Sequence, residues 1–152
     1  KEMNRKEFIT YAAPIVKKQG KDILASLVLA QIIIEGFNGE ELTSLGQAPN
    51  YNLFGIKGEG TAGSVEKPTY EYVNGQRVDI VAHFRKYNNW EESIRDHYQL
   101  LKTSKRYANL INEKSLVAAS VKIYQDGYCT NANYPNLIQH VAITYNLTTY
   151  DH

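Results

Sequence analysis

A carboxylic acid that stays protonated near neutral pH can cleave a glycosidic bond, and Glu35 stands where such a group can arise. It ends the apolar run from Ile23 to Ile34 and is followed at once by Gly36, a natural helix terminator. A carboxylate there faces the negative end of the helix dipole, and apolar surroundings penalise its charge. Both effects favour the protonated form, which can donate to a departing sugar oxygen. The plain alternative is a glutamate that escapes to solvent at a fraying helix end.

Glycoside hydrolysis usually takes a second carboxylate, about 6.5–9.5 Å away for inversion and about 5–5.5 Å for double-displacement retention. Glu66, Glu71 and Asp79 lie in or beside a hairpin and could face Glu35 across a cleft, although sequence spacing sets no distance. For any one of them alone, an exposed hairpin charge is the simpler reading. The chain also carries twelve tyrosines, of which Tyr51, Tyr70, Tyr72, Tyr87, Tyr124, Tyr128 and Tyr134 fall near loops and the hairpin. Aromatic faces bury pyranose rings, and phenolic hydroxyls bond to sugar or peptide groups. About half of the tyrosines are expected at the edge of the core instead.

Composition removes other chemistries. Seventeen basic residues against sixteen acidic ones leave a formal charge of +1, without the basic excess of a nucleic-acid partner. Arg5-Lys6 and Lys17-Lys18 read as solvated helix faces. Cys129 is the single cysteine, so no intrachain disulfide forms, and its thiol reads as buried and inert. His83, His97, His140 and His152 are scattered and show no ligand spacing, so a structural or catalytic metal is not expected. His97 reads as a hydrogen-bonded histidine at the edge of the core. No Gly-x-Ser-x-Gly elbow is present, and residues 52–58 lack the spacing of a phosphate loop. The Ile23–Ile34 run, interrupted by Ser26 and Gln31, is too short to span a bilayer. No leader is visible in the chain as given, and Lys1-Glu2 ahead of Met3 is read as a trace of trimming or of an engineered junction.

The elements that must position these groups follow from local pattern. Asn4 and Glu7 have capping-box spacing for a helix to about Gly20, which Pro14 should kink or divide. Asp22 is a candidate N-cap for the helix Ile23–Glu35, apolar on nearly every side and so expected at the centre of the fold. A short helix is expected near Glu40–Leu45, followed by ordered loops. Thr69–Val73, Asn74-Gly75 and Gln76–Phe84 form a hairpin with the preferred turn pair. Its period of two puts Thr69, Glu71 and Val73 on one face and Tyr70 and Tyr72 on the other. Helices follow from Asn89, with Glu92 completing a second capping box, from Ser115 to Tyr124, and from near Pro135.

Several blocks together resemble the glucosaminidases of glycoside hydrolase family 73, which include autolysins, flagellar muralytic proteins and phage lysins. They are Ala30–Glu35, Asn50–Gly58, Thr69-Tyr70-Glu71-Tyr72, Phe84–Tyr87 with Trp90, Ser93-Ile94, Asp96-His97, Gly127-Tyr128-Cys129-Thr130 and Asn133–Leu137. They occur in the family's order along nearly the whole chain. The resemblance implies an α+β, mainly α fold: one domain over 1–152, with a lysozyme-like helical lobe, a small β-hairpin lobe at about 64–86 and a substrate cleft between them. It implies Glu35 as general acid, Glu71 as second carboxylate and Tyr128 as a cleft tyrosine near the acid. Phe54 and Gly55 would shape the groove. From the tyrosines near the loops and hairpin, Tyr51, Tyr72, Tyr124 and Tyr134 are the expected further substrate contacts. The implied reaction is hydrolysis of the β-1,4 bond between N-acetylglucosamine and N-acetylmuramic acid in bacterial peptidoglycan, without metal or cofactor.

Two departures bear on the site. Many relatives continue the glutamate with Ser-Gly-Trp-Gly, whereas this chain has Gly36-Phe37-Asn38-Gly39, so Phe37 is a candidate displaced aromatic at a sugar subsite. The family's Gly-Tyr-Ala-Thr-Asp becomes Gly127–Asn131, which leaves Asn131 as a polar contact in place of a carboxylate. The alternatives are a muramidase or lytic transglycosylase on the same polymer, or a catalytically weak peptidoglycan-binding module. Partners are glycan strands, with no nucleic acid and no membrane insertion, and with a larger parent protein or cell-wall machinery in view. The expected location is extracellular, in the wall or periplasm, after export or phage delivery.

Overall fold

The computed structural model describes residues 2–152; the expectation of trimming rests partly on Lys1, which lies outside them. Helix α1, Arg5–Lys18, starts with the expected capping box. Asn4 Oδ1 accepts from the Glu7 amide at 2.9 Å, and Glu7 Oε1 accepts from the Asn4 amide at 3.0 Å. Pro14 does not divide the helix. Thr10 and Pro14 both lie on its exposed side, so the carbonyl that proline leaves without a donor faces solvent.

Helix α2, Ala25–Gly36, is the centre of the core, and only Ile34 and Glu35 within it escape full burial. α1, the later helices Leu116–Gln125 and Tyr134–Thr144 and the terminal 3₁₀ turn Leu147–Asp151 pack around it. Asp22 is not its cap. That role falls to Asp151, whose carboxylate accepts from the Ser26 amide at 2.8 Å and from the Ser26 hydroxyl at 2.6 Å. A carboxylate from the far end of the chain thus satisfies the positive end of the helix, while Asp22 pairs with Lys102 at 3.1 Å.

The short helix expected near Glu40–Leu45 is instead a miniature hairpin, β1 Phe37–Asn38 with β2 Glu41–Leu42. The Asn38-Gly39 turn signal prevails over the helix-forming glutamates. Beyond it, Asn52 organises the loop: its Nδ2 donates to the carbonyls of Ile56 and Arg85, each at 3.0 Å, and its Oδ1 accepts from the Ile56 amide. Leu53 N donates to Ser93 Oγ at 3.1 Å, and Trp90 Nε1 to the Gly46 carbonyl at 2.7 Å. The loop is therefore pinned to both the hairpin root and the helix Trp90–Thr103.

The long hairpin comprises β3 Ser64–Val73 and β4 Gln76–Arg85, with Asn74 and Gly75 at φ 52° and 80° as a type I′ turn requires. It starts five residues before the expected Thr69. Pro68 is tolerated within β3 because every strand of a two-stranded sheet is an edge. In the observed register Val65, Lys67, Thr69 and Glu71 pair with Phe84, Ala82, Ile80 and Val78. Phe84 and Ala82 are buried, so this face is the one turned to the helical body at the root.

Helix α3, Trp90–Thr103, keeps half of its expected capping box. Asn89 accepts from the Glu92 amide, but the Glu92 carboxylate binds Asn88 and Thr61 instead. The 3₁₀ helix Lys105–Leu110, α4 Leu116–Gln125 and α5 Tyr134–Thr144 complete the body. The architecture is α+β and mainly α: a helical lobe carrying one projecting hairpin. No helix among the described residues is long and apolar enough to cross a membrane.

Candidate active site

Glu35 occupies the last turn of α2, and close packing there needs the glycine that follows. A Cβ on Gly36 would stand 2.8 Å from the Leu53 carbonyl oxygen. Gly36 is helical, so its role is close approach and not a left-handed terminator. That approach brings Phe54, Gly55 and Ile56 beside Glu35. Together with Leu100, Tyr107, Tyr128 and Cys129 they line a cavity of about 320 Å³. A second cavity, about 270 Å³, lies around the start of α2 among Lys17, Lys21, Lys114 and Tyr150. Its carboxylate, Asp151, is committed to capping α2 through both the amide and the hydroxyl of Ser26, whereas Glu35 lines its own cavity.

Burial pushes the Glu35 carboxyl above the usual carboxylate range, and the Tyr134 hydroxyl, donating to its Oε2 at 3.1 Å, opposes this more weakly. Tyr128 arrives by a local device. α4 ends in a Schellman pair, with Gly127 N bonded to the Tyr124 carbonyl at 2.9 Å and Tyr128 N to the Ile123 carbonyl at 3.2 Å. Gly127 takes φ 88° to do so, a conformation that costs glycine little. The Tyr128 ring then stacks on Tyr134 at 5.8 Å and meets the edge of His97 at 5.9 Å. Burial, and then the nearby Glu35, hold the Tyr128 hydroxyl well above its ordinary range, so it serves as a neutral donor or acceptor.

Other candidates are distributed differently. Glu71 lies far out on β3, exposed, on the hairpin face continuous with Phe84 and Ala82. Among the described residues no hydrogen bond joins it to Glu35. Tyr72 is 68% exposed on the opposite hairpin face. Phe37 is only 5% exposed and packs edge-on against Phe8 at 5.5 Å, so the structure does not bring it to the cleft. Tyr51 packs edge-on against Trp90 at 5.4 Å, and Tyr124 rests against the core; neither lines the cavity. Asn131 Oδ1 accepts from the Asn133 amide at 3.0 Å and its carbonyl accepts from the Tyr134 amide at 2.9 Å. An amide oxygen fills that turn as a carboxylate would. Asn131 therefore helps start α5 and set Tyr134.

The structure adds residues that sequence reasoning did not assign. Cys129 is half-buried against the cavity and not sealed in the core, and burial raises its thiol above the ordinary range. Gln31 Nε2 donates to the Tyr134 hydroxyl at 3.2 Å, and Gln31 Oε1 lies 2.8 Å from His97 Nε2. Both Gln31 and His97 are fully buried, so His97 sits in the core and not at its edge. Its ring stacks on Phe54 at 3.8 Å. The available signal was Gln31 itself, a polar interruption of an apolar helix one turn before Glu35.

Comparison with known proteins identifies the family and the fold. The family model described as mannosyl-glycoprotein endo-β-N-acetylglucosaminidase matches residues 12–147. The chain is 36% identical to an autolysin of Enterococcus faecalis over 95% of its own length and 20% of that protein's. It is 33% identical to the probable N-acetylmuramidase of Lactococcus lactis, over 92% of this chain and 32% of that one. It thus spans about a fifth to a third of these relatives. Among solved structures, the catalytic domain of the autolysin Auto from Listeria monocytogenes superposes with a TM-score of 0.84 at 31% identity, covering 96% of this chain and 86% of that one.

Proposed function

Because the chain belongs to the glucosaminidase family, we propose that it hydrolyses the β-1,4 bond between N-acetylglucosamine and N-acetylmuramic acid in peptidoglycan, as one catalytic domain acting in the cell wall or periplasm. The observation that carries this reading is Glu35: a half-buried carboxyl, raised by desolvation, opening on a cavity walled by Phe54 and Tyr128. In the proposed step Glu35 gives its proton to the leaving O4 as the bond to the anomeric carbon breaks. Positive charge develops on the N-acetylglucosamine ring. Glu71 enters when the hairpin closes over bound glycan, its face already directed to the helical body. There it either deprotonates the attacking water, giving inversion, or supports attack by the substrate's own acetamido oxygen, giving retention. Tyr128 hydrogen-bonds substrate beside the acid.

One observation favours a second reading. Glu35 is the only carboxylate lining the cavity among the described residues, and a lytic transglycosylase needs no other. Mass spectrometry of reduced muropeptides, after digestion by the wild-type chain and by Glu35→Gln, separates these readings. Ends in reduced N-acetylglucosamine, absent with the variant, are expected. Reduced N-acetylmuramic acid or anhydro ends would replace the glucosaminidase reading with a muramidase or transglycosylase. Binding without cleavage by the wild type would leave a peptidoglycan-binding module.

A further inference from the structure

Four side chains from three helices form a single line in the core: His97 of α3, Gln31 and Glu35 of α2, and Tyr134 of α5. The first two have no exposed surface, and Tyr134 is 2% exposed. An amide end and a hydroxyl can each be turned two ways, so the direction of the line depends on one terminus. That terminus is His97, whose Nδ1 is buried without a hydrogen-bond partner. A bare ring nitrogen there leaves only an unused lone pair, whereas a proton there would bury an orphan N–H, the costlier defect. The proton therefore belongs on Nε2, where Gln31 Oε1 accepts it.

The remaining directions follow in turn. With its oxygen committed to His97, Gln31 presents its NH₂ to the Tyr134 oxygen. Tyr134 then has its one hydrogen free for Glu35 Oε2. From this we propose that His97 and Gln31 are positioning residues that lock Tyr134 as a one-way donor to Glu35 Oε2, so that the transferable proton of Glu35 rides on Oε1. The inference rests on the reading of Glu35 as the general acid and adds the group that orients it. A proton on Oε2 would oppose the hydrogen already arriving from Tyr134. On Oε1 it is held away from Tyr134 and available to a leaving oxygen.

The surroundings allow this assignment. Besides Tyr134, the titratable groups near Glu35 are Tyr128 and Cys129 from the segment before α5, with Tyr107 behind Tyr128. Asp96, next to His97 in sequence, is engaged by Arg85 and Tyr87. No cation lines the cavity among the described residues, so the Tyr134 hydroxyl is the donor that moderates the Glu35 charge.

The test is NMR on the substrate-free chain. Side-chain nitrogen spectra of the wild type should show His97 as the neutral Nε2–H form throughout neutral pH; the Nδ1–H form would reverse the line and overturn the proposal. Carboxyl-carbon titration of Glu35 should shift to higher pH in both Tyr134→Phe and Gln31→Met, because the ionised form loses a donor or its orientation. Midpoints unchanged from wild type in both folded variants would also overturn it, since a purely packing role would leave them in place. If Gln31→Met does not fold, the wild-type tautomer still decides. Neither readout depends on turnover, so a failed line is distinguished from a failed assignment of Glu35 as acid, which the Glu35→Gln digestion decides.

Discussion

Arg85 Nη1 lies 2.7 Å from Asp96 Oδ2, an ion pair that fastens the root of the hairpin to α3. The Tyr87 hydroxyl donates to the same oxygen at 2.5 Å, and the Arg85 carbonyl accepts from Asn52 at 3.0 Å. The hairpin is thus secured where it leaves the body, while its outer half, with Glu71, projects freely.

Asp96→Asn should weaken that anchorage. Both side chains of the pair are partly exposed, and solvent screening limits the loss to about 1 kcal/mol. For a chain of this size that is a fall of roughly 2–4 °C in Tm. Digestion kinetics should suffer more than calorimetry shows, with KM raised, because the anchor aims the arm. An unchanged KM would detach hairpin orientation from substrate binding.

The pH dependence of stability offers a test of Glu35 without substrate. Its folded-state value is raised, so its contribution is fully present below the unfolded-state value and is lost as pH rises through the folded one. Glu35→Gln carries no such loss. The variant should therefore gain Tm relative to the wild type as pH increases, while losing glycan cleavage. Parallel Tm profiles would show that the carboxylate is solvated in the folded chain.

His97 has the opposite linkage. Burial depresses it from 6.5 to about 3, so its contribution is present above the unfolded value near 6.5 and disappears as pH falls toward 3. Urea midpoints of the wild type should decline across that window, and His97→Gln should decline less steeply. Equal slopes would mean that acid unfolding is driven by carboxylates alone.

Gly36→Ala puts a methyl group against backbone that has no room to retreat, 2.8 Å from the Leu53 carbonyl. A cost of about 1–3 kcal/mol is expected, together with displacement of the loop that carries Phe54 and Gly55. Activity should fall even where the variant remains folded at the assay temperature. A fully active, equally stable variant would remove the close approach as a reason for this glycine.

Much of the fold around Glu35 was legible in short-range pattern. The apolar run ending at Glu35, the Asn74-Gly75 turn and the Asn4 capping box each depend on residues a few positions apart, so local sterics and hydrogen bonding determine them. The resemblance carried by ordered blocks along the chain pointed to the family. Tertiary structure decided what distant residues do to one another. It gave the α2 cap to Asp151 and not Asp22, buried Phe37 against Phe8, left Tyr72 on the outer hairpin face and brought Cys129 to the cavity. It also joined His97 to Gln31 and Gln31 to Tyr134, 66 and 103 residues apart. Periodicity can mark a face as buried, but partners across the core are chosen by how helices pack, and that packing makes the desolvated environment that raises the Glu35 carboxyl.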